Sequence, residues 1–277
     1  MKRWVKDSVN VIWYVVVFLI IQMIVLFLVG GAWMWLSGKG FSGSLANIQY
    51  QLMNDSRALI TVYIIANLLI VMIFAWQKWT PFKRTYLKSH PWVTMVWVAL
   101  MVFGTIIPSM WLQELMGVEM SDSMEKALSQ LMGSPFGYVA VGILAPLAEE
   151  VVFRGAILRT LLNMMDKNWH WIAILISALI FGAAHGNSAQ FLHATLIGLL
   201  LGWMYYRTKS IVPGIVFHWV NNSIAFVMYN LMPGMRDASL IDIFKGNQTS
   251  VYMALAFSFC IFLPALYQIY LRLKEKV

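Results

Sequence analysis

Cysteine is almost missing from this chain, with Cys260 its single example. An intrachain disulfide is thereby excluded, and so is a cysteine-rich metal site. Charge is scarce as well. Asp, Glu, Lys and Arg together make up 12% of the 277 residues, whereas a soluble domain carries about 25% to cover its wet surface. Low-complexity tracts, internal repeats and any segment that reads as a soluble domain are also lacking. The net charge of +8 raises the question of nucleic acid, but the basic residues form no single patch. They sit in short clusters between apolar runs, the pattern of loops on the cytoplasmic side of a membrane, so no nucleic-acid partner is expected.

What the chain does have is apolar sequence in long runs. Hydrophobic residues make up 60% and the mean hydropathy is +0.71. Runs of about 20 apolar residues match a hydrocarbon core of roughly 30 Å. Eight candidate spans follow, at 9–36, 57–77, 91–112, 136–163, 169–186, 189–206, 211–231 and 250–271. The expected fold is an all-α, polytopic transmembrane helix bundle forming one membrane domain, 1–277, in a cell membrane. The basic N-terminus precedes an apolar stretch too long for a signal peptide, and Ala32-Trp33-Met34-Trp35 is a poor cleavage context. The first span therefore reads as retained.

Basic residues orient the bundle. With the N-terminus inside, the inner segments hold Lys2, Arg3, Lys6, Lys78, Lys83, Arg84, Lys88, Arg159, Lys167, Arg207, Lys209, Arg272, Lys274 and Lys276, against Lys39, Arg57, Lys126, Arg236 and Lys245 outside. That asymmetry puts both termini in the cytoplasm, which requires an even number of spans. The outer loop 113–135 carries Glu114, Glu119, Asp122 and Glu125. The Asp122–Glu125 spacing suggests a capping box opening a short amphipathic surface helix. His90 and His170 flank tryptophans near the interface and read as anchors, while the many Met and Trp residues read as lipid-facing filler and interfacial belt.

Ionisable residues inside spans are costly and point to function. Span four reads Ala148-Glu149-Glu150-Val151-Val152-Phe153-Arg154-Gly155. Glu150 and Arg154 are four apart with the acid first, the favourable order for a helical ion pair. Glu149 points about 100° away and is expected to lack a local partner. Span five ends Phe181-Gly182-Ala183-Ala184-His185-Gly186, where small residues let a neighbouring helix approach closely. Gly186-Asn187 then interrupts the apolar run, and such breaks are tolerated beside protein or water. His218 and Asn222 share one helical face of span seven. His193, at the start of span six, is ambiguous between packing and the same cavity. At a rise of 1.5 Å per residue, Glu149, His185 and Asn222 can reach similar depth, with His218 one turn below. A carboxylate shielded from bulk water, paired with a histidine, can draw a proton from water. A second histidine with an asparagine amide can steady a developing oxyanion.

Glu149-Glu150-x-x-x-Arg154, Phe181-x-x-x-His185 and His218-x-x-x-Asn222, in that order, resemble the motif set of the CPBP family. This is the CAAX-protease and bacteriocin-processing (Abi) family of intramembrane glutamic endopeptidases. Phe153-Arg-Gly and Gly202-Trp-Met-Tyr-Tyr-Arg-Thr are also similar to family sequence, and the resemblance covers about 136–230. It implies that Glu149 and His185 activate water, that His218 and Asn222 form the oxyanion site, and that Glu150, Arg154 and Phe181 support them. It implies a peptide or protein substrate at the membrane and no cofactor. A zinc ion held by Glu149, His185 and His218 is the mechanistic alternative, since three such ligands suffice for catalytic zinc. A non-enzymatic immunity or scaffold protein is the alternative from another class, and a transporter is disfavoured by the lack of repeats. A His-Glu-x-x-His motif and a Gly-x-Gly-Asp motif are both missing. Gly40-Phe41-Ser42-Gly43 matches a serine-protease Gly-x-Ser-Gly motif literally, but in a polar loop that opens no span.

Overall fold

The computed structural model describes residues 3–38, 44–82, 84–117, 120–235 and 238–273. The Gly40–Gly43 tetrapeptide, Glu119 and the charge positions Lys2, Lys39, Lys83, Arg236, Lys274 and Lys276 lie outside the described residues. The chain is all-helical, with no strand among the described residues. In order it forms α1 (Arg3–Leu36), α2 (Leu45–Leu52), α3 (Ser56–Trp76), α4 (Trp92–Leu115), α5 (Asp122–Met132), α6 (Pro135–Met164), α7 (His170–Ala183), α8 (Ser188–Thr208), α9 (Val212–Leu231), α10 (Leu240–Ile243) and α11 (Gln248–Arg272). By length and composition, α1, α3, α4, α6 and α11 can each cross a membrane. The other expected spans coincide with α7, α8 and α9. The helix α7 is shorter than the apolar run 169–186, at 14 residues. The structure divides into two compact units, 1–81 with 121–166 and 82–120 with 167–277.

In the first unit α6 is the interior helix: half of its apolar window is buried, against 28% for α1. Aromatic rings fasten α1 to its neighbours. Tyr14 packs on Phe74 and Trp79 at centroid distances of 6.1 and 5.1 Å, and Phe18 meets Phe153 of α6 edge-on at 5.3 Å. The start of α3 is fixed by Asp55, whose carboxylate accepts the Arg57 and Ala58 amides and the Trp33 indole N–H. Helix α5 is the expected amphipathic helix, burying Ala127, Leu131 and Met132. Its N-cap residue, however, is Ser121, which places Asp122 and Glu125 within the first turn. Their charge then acts on the unpaired amides and positive dipole end there rather than through a capping box.

Helix α6 is not a regular α-helix. It widens to π geometry over Tyr138–Leu144 and again over Glu150–Leu158, with an α-helical stretch Ala145–Glu149 between. Pro146 accounts for the first widening. It has no N–H for the bond to residue 142, and its ring would press on that carbonyl, so an extra residue enters the preceding turn. Around the second widening, side chains bond the backbone from outside. Thr80 donates to the Val151 carbonyl at 2.6 Å, and Arg159 Nε donates to that of Gly155 at 3.0 Å. A Cβ on Gly155 would stand 2.2 Å from Thr80 Cγ2, so the close approach of Thr80 requires glycine there.

The second unit is built on α4, α8, α9 and α11. Its core joins Met95, Val98, Met101 and Val102 of α4 with Ile197, Leu201 and Met204 of α8, Phe217 of α9, and Ala265 and Ile269 of α11. Gly104 lets α4 reach the backbone of Phe262 on α11, 2.7 Å from where a Cβ would sit. Outside both cores, large apolar side chains such as Leu28, Met72, Phe257 and Tyr267 are exposed. Water would penalise so many exposed apolar side chains, and lipid does not.

Candidate active site

In the first unit, α6 presents the paired glutamates where its α-helical stretch gives way to π geometry. Arg154 Nη1 donates to Glu150 Oε1 at 2.7 Å, and both residues are essentially without exposure, at 1% and 0%. The ion pair expected from their spacing is therefore present. A buried pair of opposite charges removes the cost of an isolated one. Glu149 is half-buried. No local partner was expected for Glu149, but its carboxylate interacts electrostatically with Arg154, five residues on along α6, and with Tyr63 of α3. Spacing assigned Arg154 to Glu150 alone, and helix periodicity sees no neighbour from another helix such as Tyr63.

In the second unit, Phe181, His185, His218 and Asn222 are supplied by the end of α7 and by α9. Helix α7 stops at Ala183, Gly186 adopts φ +69, and Asn187 caps α8 by accepting the Gln190 amide at 2.8 Å. The sequence break at 186–187 is thus a tight helix–helix turn. The same Asn187 amide group donates to the His185 carbonyl and to Gln190 Oε1. His185 Nδ1 lies 3.0 Å from the Phe181 carbonyl. A carbonyl can only accept, so Nδ1 carries the proton and Nε2 keeps a lone pair available as a base or ligand.

The Phe181 ring stands between two imidazoles. His185 meets it edge-on at 5.0 Å and His218 at 5.8 Å, interplanar angles of 85° and 84°. His218 is buried, and Asn222 lies one turn further along α9, its Oδ1 accepting from Asn221 Nδ2 at 3.2 Å. The ambiguity over His193 resolves toward this cluster, because its imidazole interacts electrostatically with both His218 and His185. The close approach of α7 and α8 makes this geometry. A Cβ on Gly182 would lie 2.2 Å from Thr195 Oγ1 and 2.7 Å from the Phe191 carbonyl oxygen. The small residues before His185 were the sequence signal for it. His170 sits apart from the cluster, stacked on Tyr206 at 4.2 Å with its Nδ1 on the Lys167 carbonyl. Among the described residues, no group of three or more His, Cys, Asp or Glu side chains is arranged to hold a metal ion.

Comparison with known proteins agrees with the motifs. The profile of the type II CAAX prenyl endopeptidase Rce1-like family matches residues 132–224. The chain is 28% identical over 147 residues to the membrane-embedded CAAX protease MroQ of Staphylococcus aureus (strain USA300), covering 52% of this chain and 59% of that protein. It is 30% identical over 108 residues to YdiL of Bacillus subtilis (strain 168), which is named as a candidate membrane peptidase, covering 39% and 43%. A third relative, UPF0177 protein YxdF of Lactococcus lactis subsp. lactis (strain IL1403), is 24% identical over 159 residues, 54% of this chain and 85% of that one. The matched region thus spans about half the length of the first two relatives. No solved structure matches. Residues 132–224, which contain all three motifs, thus match the model of the Rce1-like CAAX endopeptidase family.

Proposed function

We propose that the chain is a multi-pass cell-membrane endopeptidase that hydrolyses peptide bonds of membrane-associated peptides or proteins with activated water. The match to the Rce1-like family supports a membrane protease function in general. The observation that carries the specific reading is the packing of His185 and His218 on Phe181, with His193 interacting electrostatically with both, in a unit that exposes large apolar side chains. Packing alone gives little reason to hold several imidazoles at such a place.

In this reading Glu149 takes a proton from the attacking water, and His185 orients that water through its Nε2 lone pair. The oxygen adds to the scissile carbonyl carbon, and the His218 ring N–H and the Asn222 amide donate to the oxyanion. The proton held by Glu149 passes to the leaving nitrogen as the C–N bond breaks. Glu150 and Arg154 hold α6 in register and take no part in proton transfer. No metal is used. Zinc held by Glu149, His185 and His218 is the alternative mechanism, and stoichiometric zinc with cleavage lost in chelator would establish it.

The test is comparative peptidomics of cells carrying wild type, Glu149→Gln or His185→Ala at equal membrane abundance. A membrane-associated peptide cut only by wild type is the expected result. An intact biological phenotype with both variants would instead support a non-enzymatic immunity or scaffold role.

A further inference from the structure

His193 has no place in the three motifs, yet it lies among their residues. It sits on α8 two turns after the Asn187 cap, with Asn187 tying the His185 carbonyl to the first turn of the same helix. Contact between Gly182 and the Thr195–Phe191 stretch fixes α7 against α8. His185 and His193 are therefore held in one rigid hairpin, and His218 joins them through the Phe181 ring.

Nδ1 of His193 is set differently from Nδ1 of His185 in the turn before α8. His185 and His170 each set Nδ1 on a backbone carbonyl four or three residues earlier. His193 Nδ1 is buried and has no hydrogen-bond partner among the described residues. A buried polar atom left unmatched costs about 1–3 kcal/mol. A packing histidine would have its ring nitrogens satisfied or would be replaced by an apolar residue at no loss.

We infer that His193 is a substrate-positioning residue whose Nδ1 hydrogen-bonds the backbone of the bound peptide. A peptide backbone offers both an N–H and a carbonyl, so either tautomer of His193 finds a partner. The ring's electrostatic interaction with His185 and His218 puts that bond beside residues assigned to water and oxyanion. The inference rests on the hydrolase reading.

The side-chain amide of asparagine places a polar atom where histidine has Nδ1, whereas glutamine places one nearer Nε2. Purified wild type, His193→Asn, His193→Gln and His193→Leu are compared in nanodiscs. The probe is a library of fluorogenic peptides, half of them farnesylated on a cysteine four residues from the C-terminus. Expected is a rise in KM for His193→Leu and His193→Gln, with kcat/KM down on the order of 10- to 100-fold and kcat little changed. His193→Asn should stay near wild type, and His193→Leu, which removes the unmatched atom, should melt no lower than wild type. Wild-type kinetics for His193→Leu, or an equal fall for His193→Asn, overturns the inference while leaving the hydrolase reading in place. If wild type cleaves no library member and Glu149→Gln is indistinguishable from it, the hydrolase reading falls and this inference with it.

Discussion

Arg154 is the bulkiest of the fully buried side chains, and its guanidinium is matched by Glu150. Removing one partner of such a pair strands the other charge in low dielectric, a loss of about 3–5 kcal/mol. Arg154→Met should therefore lower the melting temperature steeply in nanodiscs, whereas Glu150→Leu combined with Arg154→Met should recover most of it. If the single change is harmless, the pair does not hold α6 in register. Asn222 makes the opposite prediction, because the proposed mechanism has it act in the transition state. Asn222→Ala should leave the melting temperature within a degree or two and KM nearly constant, while kcat falls about 10²–10³-fold. A comparable loss of stability would place Asn222 in packing instead. The ion pair could be read from sequence because four-residue spacing fixes which side chains on one helix meet. The link from Glu149 to Tyr63 could not, since it depends on how α3 packs against α6.

At the scale of elements, the α7–α8 hairpin depends on two glycines for different reasons. Gly186 supplies a positive φ of +69. Gly186→Ala should cost about 1 kcal/mol from the left-handed backbone alone. Gly182 supplies space: a Cβ there meets the Thr195 hydroxyl and the Phe191 carbonyl. Gly182→Ala should cost about 1–3 kcal/mol and reduce cleavage further by displacing His185. Adding Thr195→Ala should recover only part of the loss, since the Phe191 carbonyl stays, and full recovery in melting experiments would mean that the backbone contact is unimportant. Hydropathy located nearly every helix because apolar length is a local property. It placed the end of α7 three residues late, because the run of small apolar residues continues into the turn. It also missed the π widening of α6. Pro146 was visible in the sequence, but the Thr80 bond that accompanies the second widening comes from 71 residues away and arises only in the folded unit.

For the whole molecule the open quantity is how often the chain crosses the bilayer. Five helices, α1, α3, α4, α6 and α11, are long and apolar enough to span. Helix α7 is not: its 14 residues reach roughly 21 Å, short of a hydrocarbon core of about 30 Å. If α7, α8 and α9 all cross, there are eight spans. If α7 and α8 instead dip in and return as a hairpin, only α9 crosses and there are six. Both counts are even, so the excess of basic residues on one side fits either, with both termini cytoplasmic. The position of the α7–α8 turn separates them. Because Cys260 is the only cysteine, Cys260→Ala gives a blank background for accessibility labelling. Ser44→Cys and Ser123→Cys should react with an impermeant maleimide in intact cells, and Ser89→Cys and Asn168→Cys only after permeabilisation. Ser188→Cys decides the count: labelling from outside means eight crossings, as the apolar runs predict. Protection from outside, with access only from the cytoplasmic side or through a water-filled cavity, means six. In that case the turn that carries His185 would end inside the membrane, and substrate would have to reach it there.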